Sequence, residues 1–309
     1  MGMRILVLRA GEDELGPATE GELGALLADP RNLVWVDMWS PGPRERGLLE
    51  ATFGAHPATV SDMLGDAPLP KLEHIEGAGY VVLESIVPHE RGRPHEIETD
   101  DNDFLLGPSW IVSNRAAQSA AFDAALDSMR RRPSDLRRGP AYVLYRLAAA
   151  IIETFAPLAA ELEAEAEALD AGITRKAGPH VIEQVSATKQ RLRRLRSVCT
   201  HQRDVLDRLA RDDSGLVPDD VRPFLRDVHD RFVRIAERIE GARELADGAL
   251  EAYVSINGHR MNEVMKVLTA AVATLHRVAP LLFLSPEGLP AAPHPHRQSR
   301  MWGPSRRAA

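Results

Sequence analysis

Tyr253-Val-Ser-Ile-Asn-Gly-His-Arg-Met-Asn-Glu-Val-Met-Lys-Val-Leu-Thr269 continues an apolar stripe that begins far upstream. Phe224, Val228, Phe232, Ile235, Ile239, Ala242, Leu245, Ala249, Tyr253 and Ile256 recur three or four residues apart, the spacing of one helix face. Gly241, Gly248 and Gly258 weaken this helix, but nothing stops it before about Leu275. Its start is expected near Pro218, with Asp219 or Asp220 capping the first turn. A helix of that length spans on the order of 80 Å at 1.5 Å per residue. Such a rod needs a supercoiled or oligomeric partner and is a structural device, not a catalytic scaffold.

Working back from the rod, two more helical stripes are legible. Leu144, Ala148, Ile151, Phe155, Leu158, Leu162, Ala166, Leu169 and Ile173 form one; Val181, Val185, Thr188, Leu192, Leu195, Val198, Gln202, Leu206 and Leu209 form the next. Turn signals at Ala171-Gly172 and Lys176-Ala-Gly-Pro179 make the connection short, which predicts an antiparallel pair. The first helix carries Glu153, Glu161, Glu163, Glu165, Glu167 and Asp170. The second carries Lys189, Arg191, Arg193, Arg194, Arg196, Arg203, Arg208 and Arg211 against Asp204 and Asp207. A basic helix invites a nucleic-acid reading. The acidic helix beside it favours internal pairing, worth a few tenths of a kcal/mol per exposed pair and enough to select register.

Residues before about 130 follow a different period. Arg4 to Arg9, Leu33 to Asp37, Gly79 to Val87, Glu96 to Leu105 and Ser109 to Ser113 read as strands, the last two joined at Gly107-Pro108. Helices are predicted over Arg44 to Phe53, Pro57 to Gly65 and Ala117 to Met129. The fold class is therefore α+β: an α/β N-terminal domain followed by long antiparallel helices and a very long stalk helix. The expected divisions are 1–137 for the α/β domain, 138–215 for the helix pair, 216–284 for the stalk and a degenerate first membrane segment, and 285–309 for a disordered Pro/Arg-rich tail.

Composition limits the function classes. The 309 residues, 44% hydrophobic and 27% charged, are those of a globular chain, and a net charge of -7 gives no electrostatic reason for a nucleic-acid partner. One cysteine, Cys199, makes no internal disulfide and no cysteine-rich metal cluster. The start of the chain reads as a strand, not a signal peptide. No window offers about 18 uninterrupted apolar residues; the best, Val264 to Leu284, contains Lys266, His276, Arg277 and Pro280. Phosphate loops, His-Glu-x-x-His, a serine elbow and cysteine triads are absent. Glu98, Asp100, Asp101 and Asp103 form an acidic cluster whose ordinary reading is a solvated loop, with a carboxylate-pair enzyme as the competing one. His294 and His296 in the tail do not make a metal site.

Several short segments, in order, resemble the CorA-type magnesium/divalent-cation transporter family. They are Trp35-Val-Asp37, Phe53-Gly-Ala-His-Pro57, Asp62, Pro70-Lys-Leu-Glu73, Tyr80-Val-Val-Leu83, Tyr142-Val-Leu-Tyr145, Phe224-Leu-Arg-Asp-Val-His-Asp230 and Asn262-Glu-Val-Met-Lys-Val-Leu-Thr269, spread over roughly residues 30 to 275. The resemblance implies a funnel, five copies around an ion path, and passage of Mg²⁺, or of Co²⁺, Ni²⁺ or Zn²⁺ in related branches, without ATP hydrolysis. Asp62 and Asp227 match the family carboxylates that hold a regulatory divalent ion between neighbouring subunits, and oxygen ligands suit Mg²⁺. Bound Mg²⁺ would screen the mutual repulsion of these acids and hold the funnel closed. Asn262 and Met265, three apart on one helix face, match pore-facing positions: an amide oxygen for a hydrated ion and an apolar gate.

The chain also departs from that pattern. Ser61 stands where the family often has a second acid, one residue too many lies around Ala270 to Thr274, and the Gly-Met-Asn signature and second membrane helix are missing. His276 and Arg277 would cost several kcal/mol in lipid. These departures lead to the expectation of a truncated or frame-shifted membrane region. Two readings follow: a homopentameric transport protein on the cytoplasmic face of the cell membrane, or a cytoplasmic orphan domain that binds Mg²⁺ or associates with intact subunits without transporting.

Overall fold

The computed structural model describes residues 2–65, 69–75, 77–87, 97–175, 179–212 and 215–283. The predicted tail, His294 and His296 with it, and most of the turn before Pro179 lie outside these residues. Met1–Ile256 form one compact unit and the residues from Asn257 onward a second.

The first unit is built on a seven-stranded mixed sheet. Its strands are β1 (Gly2–Leu8), β2 (Gly16–Ala18), β3 (Leu33–Trp39), β4 (Lys71–Ile75), β5 (Ala78–Ile86), β6 (Thr99–Leu106) and β7 (Trp110–Arg115). The order is β2-β1-β3-β7-β6-β5-β4. β3 and β7 pair in parallel, Val36 opposite Val112, and every other neighbour is antiparallel. Alternation sends each strand's residues to two cores. Val34, Val36, Tyr80, Val82, Leu105 and Val112 face α1 (Leu23–Ala28), α2 (Pro43–Phe53) and α3 (Pro57–Met63). Trp35, Val81, Leu83, Phe104 and Ile111 face the larger core made with α4 (Ala120–Arg130), α5 (Pro140–Glu153), α6 (Phe155–Arg175), α7 (Pro179–Arg211) and α8 (Arg222–Phe283).

Strands β2 and β4 were not legible: three residues around Pro17 and five containing Lys71, Glu73 and His74 lack the apolar alternation of a strand. The acidic cluster is corrected more sharply. Asp100, Asp101 and Asp103 lie in β6, as the strand reading of Glu96 to Leu105 had it, and not in the solvated loop that their acidity suggested; Asp103 is only 3% exposed. The apolar half of that strand, Phe104 to Leu106, drags its acidic neighbours into the sheet.

The predicted first long helix is two. α5 ends at Glu153 because Pro157, four residues on, has no N–H to give the Glu153 carbonyl. Thr154 fills the break by donating its hydroxyl to Ile151 O at 2.6 Å and accepting from Ile86 N at 2.9 Å. Gln202 does similar work on β5 beyond the reach of short β4. Its Oε1 accepts from Glu84 N at 2.7 Å and its Nε2 donates to Glu84 O at 3.0 Å, so a helix side chain stands in for a strand.

The antiparallel pair forms as read: Glu165 meets Thr188 and Arg191, while Ile173 clusters with Val185. Charge complementarity holds as internal pairing, Arg191 reaching Glu161 and Glu165 at 2.6 Å each. α8 joins it through Lys189–Asp247, Arg196–Glu240 and Arg238–Glu163. Phe155 and Phe232, both fully buried, meet edge to face at 5.2 Å and lock α6 to α8. α8 begins at Arg222, later than predicted, and the two candidate caps are engaged elsewhere: Asp219 pairs with Arg222 and Asp220 with Arg138.

Among the described residues only Pro140–Ile173 is long and apolar enough to cross a bilayer, and 50% of its apolar window is buried in the first unit. Its stripe packs on the sheet, so it is a core segment. Cys199 is buried as expected, and burial first, then Glu84, pushes its thiol up to about 12, leaving it unreactive.

Candidate functional site

Phe53-Gly-Ala-His-Pro57 is a stop-and-start signal. Gly54 takes φ 63°, a left-handed value that favours glycine, and Ala55 N returns to Leu49 O at 3.1 Å to close α2. His56 then caps α3, its Nδ1 accepting from Ala58 N at 3.2 Å, and Pro57 occupies the first helical position. These few residues set the direction of α3 and put Asp62 in its last turn.

Asp62 is about half exposed and accepts from Lys71 Nζ at 2.7 Å. The same ammonium reaches Glu73 at 3.1 Å and lies 5.0 Å from the Tyr80 ring centre. Partial burial works against the Lys71 charge, but the bonds to Asp62 and Glu73 more than offset it, and its pKa is raised. A tethered cation thus sits between two carboxylates. The resemblance pointed to Asp62; it did not reveal Lys71 and Glu73 as its neighbours, because β4 itself was not legible.

Asp227 lies near the start of α8 with its side chain 63% exposed, 3.9 Å from Arg231, which also pairs with Glu153. No hydrogen bond joins Asp227 to Asp62 within the described chain, and no group of three or more Asp, Glu, His or Cys residues there converges as a metal site. Each carboxylate is presented at the surface with spare lone pairs, so a divalent ion could take them as ligands from different copies.

Asn262 and Met265 lie on α8 in the second unit, both exposed. Their surroundings are apolar and equally open: Met261, Val264, Val267, Leu268, Val272 and Leu275 are 59–71% exposed. The hydroxyls of Thr269 and Thr274 turn back to Met265 O and Ala270 O at 2.7 Å each, which satisfies them without water. Apolar exposure on this scale is of the kind found at interaction surfaces.

Beneath α3 is a polar group that sequence reasoning missed. Asp103 accepts from Tyr80 OH at 2.6 Å and from Asn114 Nδ2 at 3.2 Å, and Asn114 Nδ2 also donates to Met63 O at 2.6 Å. Burial pushes the Asp103 carboxyl up to about 7 despite these donors, and burial and the Asp103 charge raise the Tyr80 hydroxyl. The signal was present: β5 puts Tyr80 and β7 puts Asn114 on the face of Asp103, but only the pairing register brings them together. A cavity of about 860 Å³, lined by Arg31, Leu33, Leu106, Arg137 and Arg138 among others, includes none of the predicted site residues.

Comparison with known proteins bears on the fold and the family. The "Cobalt/magnesium transport protein CorA" of Thermotoga maritima is 28% identical over 234 residues, which cover 75% of this chain and 65% of that protein; the match thus spans less than two thirds of that relative. The complete structure of the CorA magnesium transporter from Methanocaldococcus jannaschii superposes with a TM-score of 0.73 at 17% identity, covering 93% of this chain and 88% of that one. The full-length CmaX protein gives 0.74 at 19% identity, covering 95% and 90%. These two likenesses establish the fold. A family model described as "CorA-like Mg2+ transporter protein" matches residues 31–285, the greater part of the sequence, and the chain belongs to that family.

Proposed function

We propose that this chain is a Mg²⁺-responsive CorA-like domain that self-associates through divalent ions held by Asp62 of one copy and Asp227 of the next. The observation that carries this reading is the presentation of both carboxylates at the surface, each paired among the described residues with a neighbouring side-chain cation. Mg²⁺ retains much of its water and is satisfied by one or two carboxylates, so two exposed acids from two copies suffice. Co²⁺, Ni²⁺ and Zn²⁺ are the other ions the family membership brings into consideration. A homo-oligomer, with five copies as the family geometry, is the partner state; intact CorA-like subunits are a further partner.

Ion transport is the second reading, favoured by the exposed apolar stretch of α8 around Met265. Assembly of several such helices would cover that surface and turn Asn262 and Met265 towards a common axis at the membrane. This reading places the chain at the cell membrane, whereas the first is satisfied in the cytoplasm.

Size-exclusion chromatography with light scattering on the whole chain, with EDTA and with millimolar Mg²⁺, tests the first reading. The expected result is a larger or more persistent oligomer in Mg²⁺, lost in Asp62→Ala and in Asp227→Ala. A wild-type chain indifferent to Mg²⁺, or variants that respond as the wild type does, would refute the site.

Lys71 gives an independent check. Because its ammonium competes with a metal for Asp62 and Glu73, Lys71→Met is expected to tighten Mg²⁺ binding by about two- to fivefold, the worth of one partly exposed ion pair. Titration calorimetry reads this directly. Weaker binding in the variant would mean that Lys71 positions Asp62 for the metal instead of competing with it.

A further inference from the structure

We propose that the cavity between one end of the sheet and the start of α5 binds a small phosphate monoester with an aliphatic body. It is bounded by the β4–β5 and β6–β7 turns, the first residue of β3, the start of α5 and the segment that leads into α8. Its volume, about 860 Å³, is that of a small-molecule site.

The wall has two kinds of surface. Leu33, Leu106 and Leu136, nearly inaccessible, close the floor, and the partly buried Ile75, Ala78 and Leu216 form the sides. Among the described residues no Phe, Tyr or Trp lines it, so a flat base has no ring to stack on. An aliphatic chain needs only the contact that leucine and isoleucine give.

The other surface is cationic. Arg31, Arg137, Arg138 and His74 line the cavity and, among the described residues, no Asp or Glu does, although the chain carries a net charge of -7. Arg31 and His74 are engaged by Asp29 and Asp212. Arg137 commits Nη2 to Glu12 O, and Arg138 commits Nη1 to Asp220 at 2.7 Å. The remaining guanidinium nitrogens of these two have no partner among the described residues. Their carboxylate neighbours, Asp13 and Asp220, are 90% and 55% exposed, and such pairs are weak enough to yield to a better-matched anion.

Gly139 sets the two arginines beside a helix start. Its φ of 90° and ψ of -167° belong to a region open essentially to glycine alone, and the turn leads from Arg138 into α5. α5 has no side-chain cap, and Gly139, Pro140 and Ala141 line the cavity. The positive end of a 14-residue helix therefore adds to the field of the guanidinium groups. Two guanidinium forks and a helix end suit the three oxygens of a phosphate better than the two of a carboxylate.

Nothing in this site involves Asp62, so calorimetry on the full chain in EDTA tests it apart from the metal. Decyl phosphate, kept below its micelle-forming concentration, is the probe, with inorganic phosphate and AMP beside it. One site with a Kd on the order of 100 µM is expected for a ligand of that size. Inorganic phosphate and AMP are expected to bind at least about tenfold more weakly. Arg137→Gln with Arg138→Gln is expected to weaken decyl phosphate by about tenfold or more, the loss of two charge-assisted hydrogen bonds. Ser109→Trp, which keeps the Ser109 carbonyl bonded to Val34 N and puts an indole into the cavity, is expected to abolish binding. Absence of saturable binding by the wild type overturns the proposal. So does undiminished binding in either variant, which would put the probe on the exposed apolar stretch of α8; should one variant not fold, the other decides. Inorganic phosphate or AMP bound as tightly as decyl phosphate overturns the aliphatic assignment.

Discussion

Asp37→Ala is expected to destabilise the first unit by about 3–5 kcal/mol, the range for removing one partner of a buried ion pair. Asp37 is fully buried and accepts from the Arg115 guanidinium, from Arg4 Nε at 2.7 Å and from Ser113 Oγ at 2.7 Å. Arg115 is 2% exposed, with its guanidinium 4.3 Å from the Phe122 ring centre and 5.6 Å from Trp39. Two donors of the cluster, Arg115 Nε and Arg4 Nη2, are already without a partner. Once the carboxylate goes, Arg4 keeps Asp123, which accepts from its Nη1 at 2.8 Å, but the buried Arg115 guanidinium loses its carboxylate partner. Trp35 donates to the same Ser113 hydroxyl at 2.9 Å, so tryptophan fluorescence during urea unfolding reports from the centre of the cluster.

The expected readout is a large fall in the urea midpoint with little change in slope. Replacing the two fully buried partners, Asp37→Leu with Arg115→Met, is expected to cost clearly less than Asp37→Ala alone, because the buried guanidinium goes with the carboxylate while Arg4 keeps Asp123. A loss below about 1 kcal/mol in the single variant, typical of exposed pairs, would mean that water reaches the cluster.

The second large effect depends on pH. Asp103 has its folded-state carboxyl raised from 3.8 to about 7. Below about pH 4 both folded and unfolded chains carry the proton, and the group contributes no pH dependence. Between about pH 4 and about 7 the unfolded chain has released it and the folded chain has not, so stability falls as pH rises. The slope is about 1.4 kcal/mol per pH unit, on the order of 4 kcal/mol across the window, with no further change above it. The stability of Asp103→Asn is expected to lack this fall. Glu84, raised chiefly by burial, adds a contribution of the same sign that the variant retains. Wild-type and variant profiles that run parallel from pH 4 to 7 would show that Asp103 is ionised in the folded state throughout.

Much of this molecule is local, and local features are legible. The three- and four-residue spacing of Phe224 to Ile256 makes α8, Gly54 and Pro57 end one helix and start the next, and alternation around Val81 makes β5. The Asp62 position was reachable through resemblance because a short motif surrounds it. Lys71 and Glu73 were not recognised as its partners, since a five-residue strand with three polar side chains gives no alternation to read. The acidic run at Asp100 to Asp103 was misjudged for a related reason: composition speaks for solvent, and only the pairing of β6 between β5 and β7 outweighs it.

By itself, then, the sequence determined most of the elements, though not β2, β4 or the break between α5 and α6, together with the helix pair with its complementary charges and the family, because these reside in short-range periodicity and short motifs. Tertiary structure alone decided which side chains meet across the sheet. Tyr80, Asp103 and Asn114, or Asp37, Arg4 and Arg115, lie tens of residues apart and converge only through strand register. A carboxylate acquires its charge state from the burial and donors around it, and those exist only once distant strands have paired.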